Sequence, residues 1–266
     1  MHKQLIALPL LLALAACGDA YSHRTKEISV PDLPGIQAKL AFTCSHEKEH
    51  IPPRNPEADM LYKHARWLRK GNTLKNDPAA YPAIERLIRI ATAYGHDKAN
   101  LELRNLLAER QAYSTTPIAE TLTLTEDLIN RGIPGGYYDM GRYIERGYGV
   151  TANKELALKY FRKAADLGNP VSQFLVGTKL LPIDVAPEIG KQMLLCAAEQ
   201  GHGEAGVDLG VYLQETKEFP KALVAFQLGA KGGNATAAAF LKDAFKALPS
   251  DPLNYLDVPL DQERSR

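Results

Sequence analysis

The spacing of glycines along the second half of the chain limits the fold more than any other feature. Five segments with helix-like composition each end on a glycine, and they read IATAYG, DLINRG, KAADLG, CAAEQG and GAKGG. These glycines follow one another at intervals of 32 to 37 residues, and they are Gly95, Gly132, Gly168, Gly201 and Gly233. A period of this length is typical of stacked helix–turn–helix units. The sequence therefore predicts an all-α fold, an α-solenoid.

The clearest unit runs from Gly136 to Gly168. Its middle, GYGV at 147–150, predicts a turn, because glycine adopts positive φ at little cost. We expect one helix over about 137–146 and a second from Asn153 to Gly168, with Asn153 as N-cap. Apolar residues recur at helical spacing in the second helix, so neighbouring units must cover its apolar face.

The residues of this unit also carry a family resemblance. The pattern Gly136-x-x-x-Met140-Gly141, Gly147-x-Gly149-Val150, Ala157 and Lys163-Ala164-Ala165-x-x-Gly168 resembles the Sel-one-like repeat, a relative of the tetratricopeptide repeat. The copy at 172–201 has prolines where the glycine turn would be, the copy at 205–233 has a shortened turn, and the copies before Gly132 are degenerate. The resemblance implies a scaffold that binds a protein partner along its first helices.

The beginning of the chain predicts export and lipidation. Lys3 precedes an apolar run over 5–14 that is too short to span a bilayer, and the run leads into Leu14-Ala15-Ala16-Cys17, which resembles a bacterial lipobox. The resemblance implies lipid attachment at Cys17, whereas a plain secretory signal is the alternative. Gly18 after the cysteine favours the inner leaflet of the outer membrane over the inner membrane. We therefore expect a periplasmic, membrane-anchored protein.

Five segments follow from these features. They are a signal peptide at 1–17, a flexible tether at 18–35, an N-terminal cap of degenerate helical repeats at 36–133, the repeats with a capping helix at 134–248, and an extended tail at 249–266 that is either free or packed along the solenoid. The formal net charge of +1 gives no reason to expect nucleic acid as a partner. The sequence contains no Walker loop, no dinucleotide-binding fingerprint and no G-x-S-x-G motif, so it predicts no cofactor and no enzymatic activity.

One short motif suggests metal chemistry. His46-Glu47-x-x-His50 matches the zinc-hydrolase pattern, in which one helix face carries two histidine ligands and a glutamate base. Pro52 and Pro53 follow at once and would stop such a helix. We therefore interpret the motif as a solvated turn without a metal. An adventitious or structural metal is one alternative, with Cys44 and His64 as candidate third ligands. A zinc hydrolase using His46, Glu47 and His50 remains the minor alternative.

Three further side chains need an assignment. If Cys17 is lipidated, two cysteines remain in an oxidising compartment, Cys44 and Cys196. Either these two form a disulfide, or Cys196 is simply a small buried residue. Trp67 is the only tryptophan, and we expect it in the core of the first helix.

Two stripes are predicted on the first helix of each repeat. The first, fifth and ninth positions, counted from Gly136, Ser172 and Ala205, are apolar or small and form the core. A neighbouring stripe, here called the first-helix stripe, carries tyrosines flanked by charges of both signs, which suits protein binding. An alternative is that its tyrosines only fill gaps between repeats. The stripe consists of Asp139, Tyr143, Arg146, Leu175, Lys179, Asp208 and Tyr212.

The combination of lipobox, tether, the segment CSHEKEHIPP, the helix MLYKHARWLRKG and the repeats resembles lipoproteins paired with type VI secretion lipase effectors. This resemblance implies a non-enzymatic immunity protein that covers the active-site entrance of a secreted phospholipase, with the phospholipase D type preferred. An envelope scaffold or signalling adaptor is the alternative function.

Overall fold

The computed structural model describes residues 41–182 and 185–265. The predicted signal peptide, lipidation site and tether therefore lie outside the described residues. Within those two ranges the chain forms eleven α-helices and no strand. The helices are α1 (Pro56–Asn72), α2 (Tyr81–Ala93), α3 (Asp97–Ala108), α4 (Pro117–Asn130), α5 (Pro134–Arg146), α6 (Lys154–Asp166), α7 (Pro170–Leu180), α8 (Pro187–Glu199), α9 (Gly203–Glu215), α10 (Phe219–Lys231) and α11 (Ala235–Ala244), with short 3₁₀ turns at Glu47–Glu49 and Pro78–Ala80.

The helices pack as successive antiparallel pairs. Each helix contacts the next one in the chain, and the most extensive contacts join α1 to α2, α5 to α6, α7 to α8 and α9 to α10. In the second half, α7 also contacts α9 and α9 contacts α11, whereas α8 contacts α10. First helices therefore form one layer and second helices another, which confirms the predicted α-solenoid.

The junction between units has a repeated local structure. Each of the five landmark glycines has a positive φ, between 70° and 92°. The next residue is the N-cap of the following helix at all five junctions, and at four of them its side chain accepts a hydrogen bond from a backbone N–H in the first turn. The four N-caps with this side-chain hydrogen bond are His96, Asn169, His202 and Asn234. The interval of 32 to 37 residues thus marks the end of one unit and the start of the next.

The core follows the helix pairs along the solenoid. One cluster of buried residues joins α1 to α3, a second joins α4 to α8, and a third joins α8 to α11. Met140, Ile144, Phe161 and Met193 are examples from the central cluster, and each is at most 3% exposed. Because each cluster contains residues from neighbouring units, no unit buries its apolar face alone.

The helix α4 begins at Pro117, because proline is favoured at the first position of a helix. One sequence-based expectation for the N-terminal half is wrong. Trp67 was expected in the core, but it is 68% exposed. The buried side of α1 contains Ala58 and Ala65, and at 100° per residue Trp67 lies about 200° from Ala65.

The end of the chain packs on the last repeat. Leu256 is 2% exposed and belongs to the core cluster of α8 to α11. The Gln214 side-chain amide donates to the carbonyl oxygens of Leu253 and Tyr255 at 2.9 and 3.3 Å. The tail over 249–265 therefore packs on the solenoid and covers its last repeat. No helix among the described residues is both long and apolar enough to cross a bilayer.

Candidate partner-binding surface

The first helices of the central units have the two-stripe pattern that the sequence predicts. All nine residues at the first, fifth and ninth positions are buried, from Gly136, Met140 and Ile144 in α5 to their counterparts in α7 and α9. The first-helix stripe lies beside this core, and its residues are half-buried or exposed. Their side chains fall into two groups, according to whether they bind the buried side chain of Arg104 on α3.

Asp139 and Tyr143 are engaged by a buried arginine that sequence reasoning missed. Arg104 on α3 is 4% exposed, and its guanidinium lies 2.8 Å from an Asp139 carboxylate oxygen and 3.2 Å from the Tyr143 hydroxyl. It also donates to Asn100 on its own helix at 3.0 Å. A buried cation needs such partners to offset lost hydration, so Asp139 and Tyr143 hold α5 against α3.

The other residues of the stripe differ in exposure. Arg146 and Lys179 are exposed, near or at the carboxyl ends of α5 and α7, and Leu175 is half-buried against the central core cluster. Burial raises the pKa of the half-buried Asp208 carboxyl, and nearby Glu204 adds to this effect. The Tyr212 ring lies 5.9 Å from the Lys191 ammonium. The exposed end of the stripe is thus cationic at two successive units.

The segment before α1, residues 41–55, is here called the N-terminal strap. It follows the edge at which second helices end and first helices begin. Asn169 donates its side-chain amide to the Glu47 carboxylate at 2.9 Å, and Gln173 donates to the Ser45 carbonyl at 2.9 Å. Gln200 accepts from the Glu47 backbone N–H at 2.8 Å. These three amide side chains come from the α6–α7 junction, α7 and the α8–α9 junction, so the strap joins two units.

The strap is also attached covalently. Cys44 and Cys196 form a disulfide, with their Cα atoms 5.7 Å apart and 152 positions apart in sequence. Cys196 lies in the last turn of α8 and is 1% exposed, whereas Cys44 is exposed. At its other end, the Arg54 guanidinium pairs with the Asp97 carboxylate at the start of α3. Both ends of the strap are therefore fixed to the solenoid.

The HExxH motif does not form a helix-borne zinc site. Glu47–Glu49 is a single 3₁₀ turn with His46 as its N-cap. The His46 Nε2 atom lies 3.8 Å from a Glu199 oxygen, the Glu47 carboxylate accepts from Asn169, and the His50 ring lies 2.8 Å from the Ser45 hydroxyl. Because the three side chains have different partners, the arrangement does not support the zinc-hydrolase alternative.

Burial of Glu47 in the strap makes stability depend on pH. Burial raises the pKa of its carboxyl above the usual value of 4.5; the hydrogen bond from Asn169 opposes this, and the charges of Asp139 and Asp97 add to it. A carboxyl with a raised native pKa binds more protons in the native than in the unfolded state. Its contribution to stability therefore falls as pH rises through the interval from the unfolded to the native pKa.

We expect Glu47→Gln to melt at a higher temperature than the unmodified protein at pH 7, with the difference shrinking towards pH 4. The substitution keeps the Oε1 acceptor for Asn169. Glu49→Gln on the same turn is the control, because a backbone hydrogen bond from His46 lowers the pKa of Glu49 and the control should lose stability at pH 7. Thermal melts across this pH range measure both effects. If Glu47→Gln changes the melting temperature by the same amount at pH 7 and at pH 4, the prediction is wrong.

A second exposed surface lies at the first end of the solenoid. On the outer side of α1, Met60 and Trp67 are 64% and 68% exposed, and Leu74 just beyond the helix is 99% exposed. The His64 ring stacks on Trp67 with 5.8 Å between ring centroids. Terminal units of solenoids normally present a polar outer face, so this apolar line is unusual. Tryptophan and methionine are enriched at protein interfaces.

Comparisons with known proteins agree with this architecture. The model of the Sel1 repeat matches residues 134–169 and 172–202. No curated protein matches the chain. Solved structures from Pseudomonas aeruginosa include PA5086, at 32% identity and a TM-score of 0.59 with 85% of each chain covered. The immunity protein PA5087 is 31% identical with a TM-score of 0.58, and the immunity protein PA5088 is 30% identical with a TM-score of 0.60.

For both immunity proteins the match covers 85% of this chain and 84% of theirs. The similarity therefore includes the N-terminal helices as well as the two matched repeats. On this basis, the chain belongs to the family of Sel1-repeat proteins that includes these Pseudomonas proteins.

Proposed function

We propose that this protein is a non-enzymatic immunity protein that binds and neutralises a secreted effector. The observation that carries the proposal is the similarity, over 85% of the chain, to two solved proteins described as immunity proteins. A Sel1-repeat solenoid with fixed ends provides a preformed surface, and binding then requires little ordering of the chain.

The proposed partner is a phospholipase effector of a type VI secretion system, of the phospholipase D type. This part of the proposal is supported by the sequence resemblance to lipoproteins paired with such effectors. The lipobox ending at Cys17 supports a lipid anchor, and Gly18 supports the periplasmic face of the outer membrane. An anchored inhibitor would meet the enzyme at the lipid surface that it attacks.

Occlusion of the active-site entrance is the simplest mechanism for such a protein. The exposed part of the first-helix stripe offers Arg146 and Lys179 on successive first helices. These two neighbouring positive charges would attract acidic residues around the active-site entrance of the effector. Asp139 and Tyr143 would act indirectly, because Arg104 holds them in place.

The proposal predicts capture of the effector with loss of its activity. The chain from Gly18 onward, purified without detergent, is mixed with any phospholipase effector found to be encoded nearby, and lipid hydrolysis is measured in parallel. We expect a stable complex and hydrolysis that falls in proportion to the immunity protein added. If the enzyme is not captured and hydrolysis is unchanged, this partner is wrong and the envelope scaffold becomes the better interpretation.

Charge reversal maps the contact surface. We expect Arg146→Glu with Lys179→Glu to weaken effector binding by about 10-fold or more, mainly by slowing association. Lys163→Glu with Lys231→Glu changes the net charge equally on the exposed faces of α6 and α10 and should have little effect. Binding kinetics by surface plasmon resonance distinguish the pairs. If only Trp67→Ser weakens binding, the outer side of α1 is the contact surface instead.

A further inference from the structure

The strap and the end of α8 bring together three side chains with zinc-ligand chemistry. The Sγ atoms of Cys44 and Cys196 and a ring nitrogen of His46 all lie within 4.8 Å of one another. Two thiolates and an imidazole are common ligands of Zn²⁺ in proteins. In the structure the two sulfurs are joined, so these side chains are available to a metal only after the disulfide is reduced.

A carboxylate lies beside the cluster. One oxygen of Glu199 is 3.8 Å from His46 Nε2, and its side chain is 44% exposed, so it is free to turn towards a bound ion. Cys196 and Glu199 are held by α8, whereas Cys44 and His46 are held by the strap through its hydrogen bonds to Gln173 and Gln200. The four groups thus come from two elements that the surrounding structure keeps together.

We propose that the reduced protein binds one Zn²⁺ through Cys44, Cys196, His46 and Glu199. This site differs from the HExxH interpretation, because it uses His46 with the two cysteines and leaves out Glu47 and His50. In the zinc-bound state the metal takes over the role of the disulfide. The strap would then remain attached to α8 in both redox states.

The chemistry of the exchange is balanced. A dithiol reductant transfers two electrons and two protons to the Cys44–Cys196 bond, which becomes two thiols while the reductant becomes a disulfide. Zinc then displaces the two thiol protons and binds both thiolates. With Zn–S bonds of about 2.3 Å in tetrahedral geometry, the sulfurs lie about 3.8 Å apart, which requires only side-chain rotation.

The test uses the chain from Gly18 onward, which contains every described residue, with Zn²⁺ alone as the probe. We expect about one zinc per chain after reduction and removal of the reductant under anaerobic conditions, and none for the oxidised protein. Cys44→Ser or Cys196→Ala should abolish binding, and His46→Ala should weaken it at least about 10-fold. His50→Ala is the matched control, since the same residue type on the same turn lies outside the proposed site and should not change affinity.

Three further readouts separate a built site from loose binding by an unfolded chain. Zinc should raise the melting temperature of the reduced protein, measured by circular dichroism, because a ligand of the native state stabilises it. If reduction lowers the helical signal, zinc should restore it. Co²⁺ in place of zinc should give a thiolate charge-transfer band that both cysteine variants lack. Failure of reduced protein to bind zinc, or equal binding by His46→Ala and His50→Ala, would overturn the proposal.

Discussion

Cys44→Ser combined with Cys196→Ala is expected to lower the free energy of unfolding by about 3–5 kcal/mol. The disulfide joins residues 152 positions apart, so it restricts the unfolded chain strongly, and the stabilisation from a disulfide increases with the length of the closed loop. Alanine is chosen at position 196 because that side chain is 1% exposed and tolerates a small apolar group. For a chain of this size, the loss corresponds to a fall in melting temperature of about 10 °C.

The same substitution should release the strap before the solenoid unfolds. Limited proteolysis followed by mass spectrometry is expected to show cleavage within 41–55 in the variant under conditions in which the oxidised protein resists. Reduction of the unmodified protein, in the presence of a metal chelator, is the control and should reproduce both effects, whereas the variant should be insensitive to the reductant. A melting temperature within about 2 °C of the unmodified protein would show that the hydrogen bonds to Asn169, Gln173 and Gln200 hold the strap without the disulfide.

The repeated part of the fold was predictable because its signals are local and periodic. Gly168 and Gly201 end their units with positive φ, and Asn153 caps α6, as their positions in the sequence indicate. Helix starts were less predictable. Pro117 looks like a breaker in a sequence, yet its missing N–H costs nothing at the first position of a helix, and α4 begins there.

The surface was less predictable, because it depends on contacts between distant segments. The position of Asp139 beside the core follows from helical periodicity, but its pairing with Arg104 requires α3 to lie within side-chain reach of α5. The strap has no repeat pattern, and its partners are 43 to 153 positions away in sequence. Only the even number of cysteines left after Cys17 suggested a long-range link.

Gly168→Ala is expected to be much more destabilising than Gly201→Ala. The two glycines have nearly equal φ values of 91° and 92°. Both variants should therefore lose the same stability, about 1–2 kcal/mol, from placing a side chain in the left-handed region. A Cβ atom at Gly201 would meet nothing within 4 Å, whereas one at Gly168 would lie 2.5 Å from the His46 carbonyl carbon and 2.6 Å from the Glu47 nitrogen. Both neighbours are backbone atoms of the strap, so a small side-chain rotation cannot relieve the contact.

The extra cost at Gly168 should be about 1–3 kcal/mol, and it should depend on the strap being attached. Chemical denaturation of both variants, with and without the Cys44→Ser and Cys196→Ala pair, forms a double-mutant cycle that isolates this dependence. With the strap released, Gly168→Ala should cost no more than Gly201→Ala, because the backbone of His46 and Glu47 is then free to move away. If the extra cost persists without the disulfide, the close approach at Gly168 is maintained by the hydrogen bonds of Asn169 and Gln200 alone. If the two glycine variants are equal from the start, the strap does not lie against Gly168 in solution.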